Sequence, residues 1–222
     1  MSDLEPLLLS CEVALLATCI SSALGVALAG LLTLPRLWGR ELIDAAITAP
    51  MVLPPTVLGY YLLVVLGRES ALGRCFEALF GSPIVFSPLG AVIAATIGAL
   101  PLITKAARGA LESVDARLVG AARTLGAGPV RAFVSVSLPL ARRGILAGVM
   151  LGFARALGDF GMTLMVAGNI PGRTRTASLA IYDAVLSGRD ADATRLSLIM
   201  TAFAFAVLVG AGYLTRGRPN VF

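Results

Sequence analysis

Two ionisable residues of opposite charge, Arg155 and Asp159, lie four positions apart in the apolar stretch FARALGDFG. On a continuous helix this spacing places both side chains on one face, where they can form an ion pair. Ionisable groups at membrane depth are costly and usually face a bundle interior or a wet cavity. We therefore expect the pair either to hold helices together or, beside Gly158 and Gly161, to line a path or gate through the membrane.

Residues suited to catalysis are scarce. The chain has no histidine, and its three cysteines form no CxxC pair, so a zinc site or a disulfide framework is not expected. Ser21 and Ser22 lack a histidine to activate them. The single lysine, Lys105, lies in LITKAARG, which has no GxxxxGK[ST] loop for nucleotide phosphates. We expect no catalytic site, metal or cofactor on this chain.

The composition indicates a membrane protein. Of the 222 residues, 57% are hydrophobic and 14% charged, whereas soluble domains carry about 25% charged residues. Apolar runs of about 20 residues can cross a bilayer. Five such segments stand out, at residues 7–34, 45–66, 89–103, 145–166 and 196–214. They predict an all-α membrane protein of about five transmembrane helices, forming a single domain over residues 1–222.

Prolines and the N-terminal flank refine this prediction. Pro50, Pro54 and Pro55 predict a kink or break in the second segment. The third segment is the weakest, because it has a proline near each end. The first segment follows MSDLEPLLLS, which has no basic residue, whereas a signal peptide needs a positive flank. We expect this segment to be retained as a span.

Basic residues predict the orientation, because they favour the cytoplasmic side of a membrane. Eleven fall on one side: Arg36, Arg40, Lys105, Arg108, Arg117, Arg123, Arg131, Arg142, Arg143, Arg216 and Arg218. Six fall on the other: Arg68, Arg74, Arg173, Arg175, Arg189 and Arg195. The N-terminus is therefore predicted outside and the C-terminus in the cytoplasm. The basic excess is explained by these connections, so no nucleic-acid partner is expected.

Residues 104–144 form the longest predicted cytoplasmic connection, and LESVDARLVGAARTLGAG within it reads as a helix. Asp115 suits a helix start, and apolar residues follow at spacings of three and four. The pattern ends at Gly126 and Pro129. Small residues on the helix surface permit close approach by another protein. From the residues alone, such a docking helix and a helix lying on anionic lipid are equally open.

The same connection resembles the permease subunits of ABC importers. Their pattern is Glu-Ala-Ala, three residues, Gly, nine residues, a branched apolar residue, any residue and Leu-Pro. This sequence matches it except at the opening Glu, where Gly120 stands, so the carboxylate that could form a salt bridge to the ATPase is absent here. The resemblance implies an ATPase-coupling set, which comprises Gly120, Ala121, Ala122, Arg123, Leu125, Gly126, Val136, Leu138 and Pro139.

The resemblance covers nearly the whole chain. APMVLPPTVLGYYLLVVLGR and FARALGDFGMTLMVAGNIPGRTRTASLAIYDAV are similar to the molybdate, tungstate and sulfate permeases, with molybdate first. It implies a type I importer permease bundle in the bacterial inner membrane, working as a homodimer. It also implies two ATPase subunits that hold ATP and Mg²⁺, and an extracytoplasmic oxyanion-binding protein. Arg173 and Arg175 are candidate contacts for that protein, unless they are ordinary solvated charges.

Two other classes of membrane protein require residues that this sequence largely lacks. A secondary transporter driven by an ion gradient would need carboxylate or histidine relays in its spans, and Asp159 and Glu12 are the clear acids in the apolar segments. An intramembrane enzyme would need a nucleophile with a base or a metal cluster. The sequence favours an ATP-driven importer subunit over both classes.

Overall fold

The computed structural model describes residues 4–34 and 38–215, and within these ranges the chain is helical with no β-strand. Arg36, Arg216 and Arg218, which entered the orientation prediction, lie outside the described residues. The elements in chain order are α1 (Leu4–Leu32), α2 (Arg40–Val52), α3 (Pro55–Leu66), α4 (Ala71–Phe80), α5 (Pro88–Glu112), α6 (Ala116–Thr124), α7 (Pro129–Ala132), a π-helical turn (Phe133–Ser137), α8 (Leu138–Leu157), α9 (Gly161–Ala167), α10 (Ala177–Leu186) and α11 (Asp190–Thr215).

Four helical stretches in the described residues are long and apolar enough to cross a membrane, namely Leu4–Leu32, Pro88–Glu112, Pro129–Leu157 and Asp190–Gly210. A fifth span results if α2 and α3, which are bent by 114°, are counted together. The bend lies at Leu53 and Pro54, whose backbones are extended. Proline disfavours helical geometry in the residue before it, so the Pro54–Pro55 pair separates the two helices. Both the all-α class and the break in the second segment are confirmed.

Small side chains bring α1, α5 and α8 close together. Their shared core contains mainly alanine and valine, including Ala14, Ala17, Ala95, Ala99 and Ala156. Contrary to the expectation that the third segment is the weakest, α5 is the most buried of the candidate spans, and it keeps Pro101 inside the helix. It begins cleanly because Ser87 accepts a hydrogen bond from the Gly90 N–H and Pro88 occupies the first turn.

Three glycines of α8 form a stripe against α5. A Cβ built on Gly148 would lie 2.5 Å from the Ala106 Cβ, and one on Gly144 would lie 2.6 Å from the Ala110 Cβ. At Gly152 the obstacle is the Ile103 side chain, at 2.5 Å. Glycines spaced by four residues let two helix backbones approach closely, as in other membrane helix pairs. The α5–α8 pair therefore behaves as one tightly packed unit.

Charged side chains attach α2 to α5. Lys105 Nζ lies 2.7 Å from Asp44 Oδ2, and Arg108 Nη1 lies 3.0 Å from Asp44 Oδ1. Glu112 Oε1 extends the network, because it lies 2.8 Å from Arg108 Nε and 3.0 Å from Arg40 Nη2. No residue of α2 is buried. This ion network is therefore a main attachment of α2 to the rest of the molecule.

The predicted long connection, residues 104–144, is shorter in the structure. Helix α5 continues to Glu112 and α8 begins at Leu138, so residues 113–137 join the two. Lys105 and Arg108 consequently lie on a helix and not in a loop. Helix continues past the apolar stretch because alanine, leucine and arginine have high helix propensity, and because Asp44 and Glu112 pair with the two cations.

Candidate functional site: an exposed helix and a polar break

Helix α6 is the predicted cytoplasmic helix. Asp115 accepts a hydrogen bond from the Arg117 N–H at 2.8 Å and so caps its first turn. The helix ends at Thr124, and Gly126 follows with φ +88°, a conformation that suits glycine. Pro129 then starts α7. The sequence prediction of a helix between Asp115 and Gly126 is confirmed.

The surface of α6 is open. None of its residues is buried; Leu118 is 50% exposed, and Leu125 just beyond the helix is 89% exposed. A Cβ on Gly120 would meet no atom within 4 Å. Arg123 makes no side-chain hydrogen bond or ion pair within the described part of the chain. This is an apolar and cationic surface that the chain itself leaves uncovered, as a docking element requires.

The other predicted coupling residues are split between two settings. Ala121 is exposed and Ala122 half-buried on α6, whereas Val136 and Leu138 are half-buried in the π-helical turn and the start of α8. Phe133 in that turn packs between α1 and α5, with its ring 3.0 Å from the position of a Cβ on Gly30. The second half of the motif, from Val136 to the exposed Pro139, therefore connects α6 to the helix bundle. It does not extend the exposed surface of α6.

Arg155 and Asp159 do form an ion pair, with Arg155 Nη1 and Asp159 Oδ1 3.0 Å apart. The expectation that they share one helical face is wrong, because α8 ends at Leu157 and Asp159 lies in the break before α9. Gly158 at the helix end and the short link to Gly161 interrupt the helix. The pair joins the end of one helix to the start of the next.

Asp159 is the centre of this polar break. Its Oδ2 accepts hydrogen bonds from the Thr163 N–H at 3.0 Å and from the Thr163 hydroxyl at 2.7 Å. Asp159 is 3% exposed, while the Arg155 side chain keeps 32% of its surface. A Cβ on Gly98 of α5 would lie 3.5 Å from Arg155 Nη2. The sequence did not reveal Thr163, whose spacing of four from Asp159 was the available signal.

The two helix breaks meet. A Cβ on Gly161, at the start of α9, would lie 3.0 Å from the Pro55 Cβ at the start of α3. Farther along, a Cβ on Gly59 would lie 2.8 Å from the Met165 Cβ. Two interrupted helices therefore pack side by side, with the Arg155–Asp159 pair at one of the interruptions. Discontinuous helices packed in this way are typical of transporter binding sites.

The two arginines predicted to contact a delivery protein differ. Arg175 is tied down: its Nε donates to the Asn169 side chain at 2.9 Å, and its Nη1 lies 3.3 Å from Asp183 Oδ2. Arg173 is exposed, and its side chain has no hydrogen-bond or ion-pair partner among the described residues. Arg175 and Asp183 also line a charged cleft of about 590 Å³ together with Arg189 and Arg195. Arg173 is the freer of the two.

Comparisons with known proteins place these features in a family. The family described as binding-protein-dependent transport system inner membrane component matches residues 21–214. The molybdenum transport system permease protein ModB of Escherichia coli K12 is 43% identical over 213 residues, which is 96% of this chain and 93% of that protein. The ModB of Haemophilus influenzae is 38% identical and covers 99% of both chains. A probable sulfate transport system permease protein, cysT of Chlorella vulgaris, is 34% identical over 80% of this chain and 66% of that protein.

Solved structures share the fold. A bacterial ABC transporter involved in the import of the acidic polysaccharide alginate matches with a TM-score of 0.76 and 12% identity, over 97% of this chain and 80% of that chain. The MetNI methionine ABC transporter in an inward-facing conformation matches with a TM-score of 0.71 and 17% identity, over 96% and 93%. The bundle thus shares its fold with these ABC transporter structures. With its sequence matched over residues 21–214, the chain belongs to the family of binding-protein-dependent transport system inner membrane components.

Proposed function

We propose that this chain is the membrane-spanning subunit of an ATP-driven importer for molybdate. The observation that carries the proposal is the near full-length match to permeases named for molybdenum transport in Escherichia coli and Haemophilus influenzae. The chain is a transport component of the inner membrane and passes through it several times. In this proposal it is one domain that forms the translocation path, and it has no catalytic residue, metal or cofactor of its own.

ATP and Mg²⁺ belong in this proposal to two partner ATPase subunits, one on each copy of a permease homodimer. Helix α6 is the docking element, because Leu118 and Leu125 are exposed and Arg123 is unpaired within the described residues. Its small residues at Gly120 and Ala121 leave room for a groove to close around the helix. An arginine there can donate to carboxylates or carbonyls at the edge of that groove.

Motion of α6 would reach the membrane through two short routes. Three residues, 113–115, separate α6 from α5, and α7 with its π-helical turn leads from α6 into α8. Because α5 and α8 are locked together along the glycine stripe, a shift of α6 moves them as a unit. The proposed cycle is alternating access: ATP-driven closure of the ATPases moves α6 and tilts the spans between inward and outward states.

The proposed path runs beside the two helix breaks. Arg155 presents a partly exposed guanidinium there, while the carboxylate of Asp159 is held by Arg155 and Thr163. A paired arginine lowers the electrostatic barrier to a dianion without holding it as tightly as an unpaired one would. Both carboxylate oxygens of Asp159 are thus engaged by Arg155 and Thr163, whereas a secondary transporter driven by an ion gradient needs relays of carboxylates or histidines in its spans.

Delivery of the oxyanion is assigned to an extracytoplasmic binding protein that contacts the loop carrying Arg173 and Arg175. In this orientation the N-terminus is outside and the C-terminus is cytoplasmic, so α6 and that loop lie on opposite sides of the membrane. Sulfate is a second candidate substrate, favoured by the 34% identity to the probable sulfate permease of Chlorella vulgaris. Tungstate remains an alternative because it is a dianion of the same shape.

The test is uptake by proteoliposomes that contain the chain with the ATPase and binding protein of its own host. ⁹⁹Mo-molybdate should accumulate only with ATP and both partners, and a proton uncoupler should leave the rate unchanged. Tungstate and sulfate are run side by side. Preferential uptake of sulfate would make sulfate, and not molybdate, the substrate. Uptake that needs a proton gradient and no ATPase would overturn the proposal of an ATP-driven importer.

Docking is tested by co-purification with the ATPase. Leu125→Asp and Ala121→Trp should each lower the ATPase bound by at least tenfold. Leu186→Asp is the matched control, because Leu186 is an exposed leucine on α10, outside the coupling region, with 70% of its surface accessible. If all three variants retained the ATPase equally, α6 would not be the docking element.

A further inference from the structure

Helix α4 has a distinct apolar face. Leu72, Cys75, Phe76 and Leu79 recur at the spacing of one helix face, and Phe80 extends it by stacking on Phe76 with ring centroids 4.4 Å apart. This face is uncovered: Leu72 is 60%, Leu79 74% and Phe80 67% exposed. Single exposed apolar side chains are common, but a cluster of large ones on one helix face indicates a surface that is covered in the protein's native environment.

The helix is held in place at the end of a candidate span. Helix α3 ends at Leu66, and four residues separate it from the start of α4. A Cβ on Gly73 would lie 2.0 Å from the Gly67 carbonyl oxygen, so the helix packs directly on the connection. Ser70 Oγ accepts from the Gly73 N–H at 2.8 Å. The adjoining α3 is also apolar where it is exposed, at Val64 and Val65.

The opposite side of α4 is polar. Glu77 pairs with Arg68, whose Nη2 lies 3.2 Å from Glu77 Oε1. Arg74 is exposed and its side chain has no hydrogen-bond or ion-pair partner in the part of the chain that the structure describes. An amphipathic helix with a bulky apolar face and an unpaired arginine beside it is the arrangement that binds at the lipid headgroup boundary.

We propose that α4 lies in the bilayer interface at the end of α3, with Leu72, Phe76 and Leu79 among the upper acyl chains and Arg74 at the phosphate groups. The occupant of the exposed face is lipid, because that face adjoins the exposed apolar surface of α3, which is part of a candidate membrane span. The helix then fixes the depth of α3, and with it the level of the helix break at Pro54 and Pro55.

Cys75 provides a probe on the apolar face itself. In the full-length variant Cys11→Ala/Cys19→Ala, Cys75 carries a nitroxide label in vesicles of phosphatidylethanolamine and phosphatidylglycerol. The ratio of oxygen to nickel-chelate collision rates measures depth. A label at position 74, introduced by Arg74→Cys in a background that also has Cys75→Ala, is the matched control, because it lies about 100° away on the same helix.

The oxygen-to-nickel ratio should be at least threefold higher at position 75 than at position 74. Equal, nickel-dominated ratios would place the helix in water and overturn the proposal. Low collision rates with both reagents, together with dipolar broadening between labels, would assign the face to a second copy and also overturn it. The unaltered chain gives an independent readout: a membrane-impermeant maleimide should leave Cys75 unmodified in vesicles and modify it in detergent after unfolding.

Discussion

Lys105 of α5 and Asp44 of α2 form an ion pair of 2.7 Å across 61 positions of sequence. Asp44 also accepts from Arg108, so one carboxylate binds two cations of α5. Because α2 buries no residue of its own, these contacts largely decide whether it stays on the bundle. The ion network is thus a structural attachment at the end of α5 from which α6 follows.

Removing the carboxylate should release α2. We expect Asp44→Asn to cost about 1 kcal/mol of stability, since the pair is partly exposed, and to speed amide hydrogen exchange in residues 40–52 more than in α5. Glu41→Gln is the control, because Glu41 is exposed on the same helix and has no ion-pair partner among the described residues. Unchanged exchange in α2 of the Asp44 variant would mean that apolar contacts suffice to hold it.

The Arg155–Asp159 pair predicts an asymmetry between its two single variants. Arg155→Met leaves the buried carboxylate of Asp159 without its cation, which costs about 3 kcal/mol in buried pairs. Asp159→Asn leaves a guanidinium that is still about one-third exposed and should cost less. The double variant should recover part of the loss, as measured by thermal unfolding in detergent.

The same double variant separates structure from transport. If Arg155 acts in the path, Arg155→Met/Asp159→Asn should take up molybdate more slowly than the wild type even where its melting temperature is recovered. If the uptake rate of each variant changed only in proportion to its melting temperature, the role of the pair would be limited to holding α8 and α9 together.

The glycine stripe predicts a steric effect of a single methyl group. Gly148→Ala would place a Cβ 2.5 Å from the Ala106 Cβ, and overpacking of this kind costs about 1–3 kcal/mol. Gly109→Ala on α5 is the control, because its Cβ meets nothing within 4 Å and alanine favours helix by about 1 kcal/mol. Opposite shifts in melting temperature are expected; parallel shifts would contradict close α5–α8 packing.

Gly120 predicts a gain of binding. The related pattern has a glutamate there, and the structure leaves open space around a side chain at this position. Gly120→Glu should therefore fold normally and bind the ATPase about two- to fivefold more tightly, the range of an exposed ion pair. Gly120→Gln, which has the same length without the charge, should show no gain. Equal effects of both variants would exclude a salt bridge.

Local patterns in the sequence predicted local structure well. Asp115 and Gly126 marked the ends of α6, and the Pro54–Pro55 pair marked the break, because caps and prolines act within a few residues. The α2–α5 network was not predictable, since Asp44 and Lys105 become neighbours only when two helices pack. The break at Gly158 was not predicted for a related reason. The spacing of four residues between Arg155 and Asp159 fits a continuous helix, and it fits equally well a helix that ends before Asp159, with the Asp159 carboxylate bound by Thr163.

Lipid can cover only some sides of this bundle. Leu53 donates the last hydrogen bond of α2, to the Ala49 carbonyl, and Pro54 has no N–H to continue the helix. Both residues are exposed on the isolated chain. Hydrocarbon offers no partner for the carbonyl groups freed at such an elbow, so this side must meet water or protein. Acyl chains can cover the outer flanks of α1 and α11, where Leu15, Leu24 and Phe205 project, and the end of α3 that adjoins α4.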